Sequence, residues 1–373
     1  MTLRERILSV YRGERPDVVP YMLDLSHYYY HRFREPWDLS QSYPEPEKGL
    51  IDYHRRMGVG FYIANLAPFY SARYGDDVTA TTSREVRGGV PEITWELSTP
   101  LGSIRRTRVW EERSYSWTIP QWGVRTEQDL RVLGCGLGSR SFEPAWDCWH
   151  AWNDYVGDCG VVYIGAGYSA MGYLLSLWMG VVGTTYAICD WPDTVEEVVA
   201  QINDNTLRLI DLLAESPAEV IIVGDNFSSD IQPPHFVERW SRGFYEEAFA
   251  RLHRAGKYVA VHADGKLHGM LRLLAEMDAD CADAVSPGPV GGLTAAQCRE
   301  EAGERLILSG GVSPELWLPS ASIEDFRAAV LEWLSTTRVS HRLLAGAGDQ
   351  VPPGAEERRI EIMRELVEEH GRL

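Results

Sequence analysis

The segment Val261-His262-Ala263-Asp264-Gly265 closes an apolar run with an imidazole and a carboxylate two residues apart. On an extended strand those two side chains leave from one face. A histidine beside a carboxylate can act as a general base, a substrate anchor or a metal ligand. The bland alternative is a buried histidine, with Asp264 capping the helix that follows. A second acidic group, Gly224-Asp225-Asn226, ends the preceding apolar run at 220–223. If the two runs are neighbouring parallel strands, Asp225 and His262 stand side by side, as a proton-transfer pair or as oxygen and nitrogen ligands of a divalent metal. Neither position offers a thiolate, so a tight structural zinc site is not expected.

Other polar residues directly follow apolar runs. Asp24, His27 and Tyr28 follow 18–23, Asn65 follows 59–64, and Tyr168 and Tyr173 follow 161–164. Ser286, Ser309 and Asp349 hold comparable positions, but helix capping and strand-end hydrogen bonding explain them more simply.

These residues need elements to hold them. From about residue 195 the chain alternates between helical spacing and short apolar blocks. Helices are expected over 195–213, 236–254 and 267–277, from Thr294, and over 323–334 and 355–369. Strands are expected at 220–223, 258–261, 282–285, 306–308 and 341–344. The first half adds strands at 18–23, 59–64 and 161–164, which makes eight. Repeated β-then-α units with eight parallel strands predict a single (β/α)8 TIM-barrel domain over 1–373, with its functional residues at the C-terminal strand ends. The stretch 75–125 differs. Ile93, Trp95 and Leu97 alternate, Thr99-Pro100-Leu101-Gly102 turns, and Ile104 opens a second run, as in a β-hairpin inserted beyond an N-terminal extension and the first strands. An open doubly wound sheet is the weaker architecture, because no G-x-G-x-x-G follows the first strand and Gly165-Ala166-Gly167-Tyr168 is only a fragment of one.

Composition narrows the partners. A formal net charge of −18 over 373 residues opposes binding to nucleic acid or anionic lipid. No apolar run reaches the roughly 20 residues of a membrane span, and the charged opening MTLRERILSVYRGERPD lacks the apolar core of a signal peptide, so a cytoplasmic protein is expected. Six scattered cysteines contain no CxxC pair and are read as reduced thiols. The aromatic cluster Tyr28-Tyr29-Tyr30, Trp37, Phe61, Tyr62, Phe69 and Tyr70 could wall a pocket or pack between barrel and helices.

Several blocks, in order, resemble the uroporphyrinogen-decarboxylase-like superfamily. They are Arg4-Glu5-Arg6 through Pro20, Gly165 to Tyr173, Ile222 through Gly265, Leu308-Ser309-Gly310-Gly311-Val312 and the Gly346 loop. The resemblance implies a (β/α)8 barrel and either tetrapyrrole decarboxylation or corrinoid-linked methyl transfer. The decarboxylases bind acidic side chains with arginines after the first strand, where this chain reads Met22-Leu23-Asp24-Leu25-Ser26-His27-Tyr28. Their essential aspartate corresponds to Asn65 and their last-loop histidine to Ala347, while Tyr173 is retained. Thiol-activating methyltransferases hold zinc with a His-x-Cys pair and a distant Cys, and the counterparts here are His262, Asp264 and Ala347. The resemblance therefore implies transfer of a methyl group between a small O- or N-methylated substrate and the cobalamin of a separate corrinoid protein. His262, Asp225, Asp264 and Tyr173 would be catalytic, and Asp24, His27, Tyr28, Asn65, Tyr168 and Asn226 would surround the substrate. A decarboxylase or lyase acting on a tetrapyrrole or smaller acid, and a non-catalytic ligand-binding barrel, are the alternatives.

Overall fold

The computed structural model describes residues 1–33, 44–62 and 69–373; Trp37 and Asn65 lie outside them. Among the described residues, strand β1 (Tyr70–Arg73) precedes an antiparallel meander of β2 (Thr79–Arg87), β3 (Val90–Thr99), β4 (Gly102–Glu111) and β5 (Ser116–Gln121). Strand β6 (Ser141–Pro144) follows and pairs with β1. The expected hairpin is thus the centre of a four-stranded sheet. The pattern missed β2 because every residue of it is exposed: with neither face buried, Thr79-Ala-Thr-Thr-Ser-Arg-Glu-Val-Arg87 has no reason to alternate. Its backbone ladder with β3 holds it, from Thr79 opposite Ser98 to Arg87 opposite Val90. The other side of the sheet packs Leu97 and Ile104 on the helix Glu127–Gly138.

The second half forms a parallel sheet of β7 (Ile164–Gly165), β8 (Val220–Val223), β9 (Tyr258–His262), β10 (Cys281–Val285), β11 (Ile307–Val312) and β12 (Leu343–Ala347), each beside its sequence neighbour. Helices connect them, including Pro192–Ala214, Met270–Glu276, Ala295–Ala302 and Ile323–Ser335, and Glu357–His370 closes the chain. The single helix expected over 236–254 is two, Pro234–Trp240 and Arg242–Arg254, broken at Ser241. The two earliest expected strands are present as single parallel bridges: Tyr21 to Ala345, Met22 to Gly60, and Phe61 to Gly160. These approaches are close enough to require glycine, since a Cβ on Gly160 would lie 1.8 Å from the Phe61 carbonyl oxygen.

Alternation along the parallel strands separates two cores. Ile221 and Val223 join the large cluster packed against the helices, whereas Val220, Ile222, Ala260, Cys281, Ile307 and Leu344 form a cluster on the other face with Met22, Tyr62 and Tyr163. The N-terminal helix Leu3–Arg12 is held by a Thr2/Glu5 capping box and closes that inner cluster with Ile7, Val10 and Tyr11. Burying an aliphatic side chain such as Val220 or Ile222 is worth about 1.5–3 kcal/mol. Among the described residues, no helix is long and apolar enough to cross a membrane, and all six cysteines are free thiols.

Candidate functional site

Two residues further along each of three adjacent strands, the inner face changes character. Ala260, Cys281 and Ile307 belong to the apolar layer; two positions on, the same parity presents His262, Asp283 and Ser309. His262 and Asp283 are register partners across β9 and β10. The His262 Nδ1 lies 3.2 Å from Asp283 Oδ2, and Ser309 Oγ donates to Asp283 Oδ1 at 3.2 Å. Asp283 is buried and the His262 side chain keeps 21% of its surface exposed. The ring can therefore be reached, while its partner carboxylate cannot.

A bulge in the β10–β11 ladder follows this pair. Ala282 pairs with Leu308 and Val285 with Gly310, so Asp283 and Ala284 together face Ser309 alone. Ala284 consequently takes φ of 62°, a conformation that costs a non-glycine residue of order 1–3 kcal/mol and concentrates at functional sites. The bulge also brings the Val285 carbonyl oxygen to 2.3 Å from where a Cβ on Gly310 would stand. Only glycine fits there.

The electrostatics follow from burial among acids. Burial opposes charge on the His262 ring, but the Asp283 hydrogen bond and the charges of Asp349, Asp283 and Asp264 outweigh it and raise its pKa to about 9. Burial lifts Asp349 to about 6, against the pull of His262. Asp24 is also raised, by burial first, although Ser26 donates to its Oδ1 through both backbone N–H, at 2.8 Å, and hydroxyl. The site thus holds one imidazolium, charged at neutral pH, facing several carboxyl groups. No acceptor meets its Nε2 among the described residues, and a ring that keeps its proton to about pH 9 can donate it to a leaving group.

The expected neighbours of His262 are only partly those observed. Asp264 shares its surroundings and does not cap the next helix, whose N-cap is Gly269. Asp225 is elsewhere: it follows the parity of Ile221 and Val223 rather than that of Ile222, is fully buried, and accepts from the Ser169 N–H at 2.7 Å and from the Ser169 hydroxyl. The side-by-side arrangement expected of Asp225 and His262 gives way to a His262–Asp283 pair. Asn226 is exposed with φ of 50°. Tyr173 receives a hydrogen bond from Arg140 Nη1 at 2.9 Å, and its ring lies 5.9 Å from that of Tyr168. The ring of His27 stands 6.2 Å from that of Tyr115, with its pKa pushed down to about 4 by burial. Tyr28 instead packs toward the closing helix, its hydroxyl 3.4 Å from Glu357 Oε2.

Asp349 and Ser309, read from sequence as capping residues, belong to the site, and Asp283 was missed. Its signal was a carboxylate inside the buried strand Cys281-Ala-Asp-Ala-Val285. A divalent metal fits this donor set poorly: among the described residues no three His, Cys, Asp or Glu side chains converge on one point, and a metal must displace the proton that His262 retains.

Comparison with known proteins places the chain. No curated protein sequence matches it. A methyltransferase from Methanosarcina mazei superposes over 99% of both chains with a TM-score of 0.65 at 14% identity, which establishes a common fold. A dipeptide epimerase from Methylococcus capsulatus, complexed with a Mg ion, covers 78% of this chain and 79% of its own at 12% identity, with a TM-score of only 0.21. The family model for uroporphyrinogen decarboxylase (URO-D) matches residues 161–370, the span that carries all six parallel strands, His262, Asp283 and Asp349. Because that match extends over more than half of the chain, the protein belongs to the uroporphyrinogen decarboxylase (URO-D) family.

Proposed function

We propose that the protein transfers a methyl group between a small O- or N-methylated substrate and the corrinoid of a partner protein. The observation that carries this reading is the accessible His262 imidazolium, held by buried Asp283 with Asp349 and Asp264 nearby. The whole-chain likeness in fold to a methyltransferase supports it. The reading takes the bridged segments at 21–22 and 60–61 as the two remaining strands of a (β/α)8 barrel, so that Asp24 and His262 face one mouth.

The partner's cobalt, when bound, supplies the electron pair that takes the methyl carbon. The residues of this chain then act on the leaving atom. As the bond from methyl carbon to oxygen or nitrogen breaks, both its electrons stay with the leaving atom. His262 gives that atom the proton held at Nε2, and Asp283 stays hydrogen-bonded to Nδ1, keeping the ring oriented. Asp349, with a pKa near 6, is mostly ionised at neutral pH, and its charge favours recharging of the ring from solvent. Positioning and proton donation of this kind contribute on the order of 10²–10⁴ in rate.

The test is incubation with reduced cob(I)alamin and a panel of methoxylated aromatics and methylamines, following the cobalt spectrum beside a uroporphyrinogen decarboxylation assay. Methyl transfer that falls at least about 10²-fold in His262→Asn is expected. Turnover of uroporphyrinogen at a rate indifferent to His262 would overturn the proposal in favour of a decarboxylase. Silence in both assays would favour a binding protein.

A further inference from the structure

The inner face of β4 carries Ile104, Arg106, Arg108 and Trp110 in alternation. Ile104 packs in one cluster with Met171, Leu174 and Trp178, from the chain that follows β7. Arg106 is buried, at 6% exposure. Its guanidinium lies between two indoles, 4.2 Å from the Trp95 ring centre and 4.8 Å from that of Trp178. Its Nη1 donates to the Leu177 carbonyl at 3.0 Å. Both faces and one nitrogen are therefore occupied. What remains is the Nε–Nη2 edge, where Nε has no acceptor among the described residues. That edge is the side-on fork that receives a carboxylate through two parallel hydrogen bonds.

No carboxylate of the described residues fills it. Among the described residues, neither Arg106 nor the buried Arg140 forms an ion pair, although the chain has 54 acidic residues against 36 basic ones. Arg299 is also buried without a carboxylate, but both its terminal nitrogens sit on carbonyls, those of Gly303, Leu306 and Arg342. Arg106 has no such closure. Arg140 and Arg106 share a neighbourhood of phenols: Arg140 donates to the Tyr173 hydroxyl, and the Tyr74 hydroxyl feels both guanidiniums. Tyr168, whose ring lies 5.9 Å from that of Tyr173, stands three residues after β7, in the sheet whose strand β9 carries His262. A buried cation without a counter-ion is costly unless a ligand supplies one.

We propose that the Nε–Nη2 edge of Arg106 binds a carboxylate of the substrate beneath the antiparallel sheet, so that the molecule presented to His262 is a small anionic one. This rests on the methyl-transfer reading only for the identity of the group that His262 acts upon.

The experiment compares 4-methoxybenzoate with 4-methoxybenzamide, and N,N-dimethylglycine with its primary amide, by isothermal titration calorimetry at pH 7. An Arg–carboxylate contact predicts that at least one acid binds on the order of 10- to 100-fold more tightly than its amide. Arg106→Met should abolish that preference, the acid losing on the order of 10-fold or more affinity beyond any loss by the amide. Arg106→Lys keeps charge and stem without the fork, should lose most of the preference, and serves should the Met variant not fold. Acids bound no better than amides, no binding of either acid, or a preference unchanged by the substitutions would overturn the inference. Arg106-dependent acid binding without any methyl transfer to cob(I)alamin would sustain this site and defeat the methyl-transfer reading. Methyl transfer from amide and acid alike, indifferent to Arg106, would do the reverse.

Discussion

Asp283→Asn removes the charge that keeps His262 protonated and leaves the volume and the Ser309 contact in place. Three acids raise the ring, but Asp283 alone adds a hydrogen bond to its charge, across 3.2 Å. Without it, burial, which opposes the charged ring, should prevail over Asp349 and Asp264, and the pKa should fall from about 9 to below about 7. The energy at stake follows from the rise above the ordinary value of 6.5 and is roughly 3 kcal/mol. Because the folded value is the higher, this stabilisation is complete below about pH 6.5 and is lost as pH rises through about 9. The raised Asp349 acts in the same direction at lower pH, its burial costing stability as pH rises from its ordinary range through about 6. Urea unfolding of the wild type should therefore weaken from pH 6 to pH 10, and the slope above pH 7 should be smaller in the variant. The direct measurement is an NMR titration of histidine ring protons, with His262→Asn identifying the signal among 10 histidines. Any methyl-transfer activity should lose its alkaline limb near pH 9 and gain one below about pH 7 in the variant. A His262 midpoint that stays near 9 in Asp283→Asn would refute the assignment of Asp283 as the group that holds the proton.

Two further outcomes are expected. Gly310→Ala places a methyl 2.3 Å from the Val285 carbonyl oxygen at φ of 136°, and should cost about 3 kcal/mol or more in urea unfolding while displacing the bulge that follows Asp283; a loss below about 1 kcal/mol would mean the bulge is soft. Purified protein dialysed against a chelator should hold less than one zinc per chain by elemental analysis, because His262 keeps its proton and no thiolate joins it; stoichiometric zinc after dialysis would contradict the donor-set argument.

The parallel half was legible in the sequence because its strands are buried on both faces. Val220-Ile221-Ile222-Val223 and Tyr258 to Val261 can only be apolar, and polar residues directly after them mark strand ends whatever the partner strand. His262 and Asp264 were found by that local rule. Asp225 and Asp283 show where the rule stops. Asp225 has the right distance from its strand but the parity of the helix-facing residues, and Ser169, 56 positions earlier in the chain, engages it. Asp283 lies inside its strand, where a carboxylate is tolerable because its register partner on the adjacent strand is a histidine. Arg106 sits on a sheet whose outermost strand has no buried face and therefore no periodic signal. What the chain determined by itself was the set of elements and the order in which they alternate, since those depend on burial and spacing along one segment. Which polar groups share a hydrogen bond, and so what protons they hold, only the tertiary structure decided, because register, bulge and parity are fixed by contacts between segments far apart in sequence.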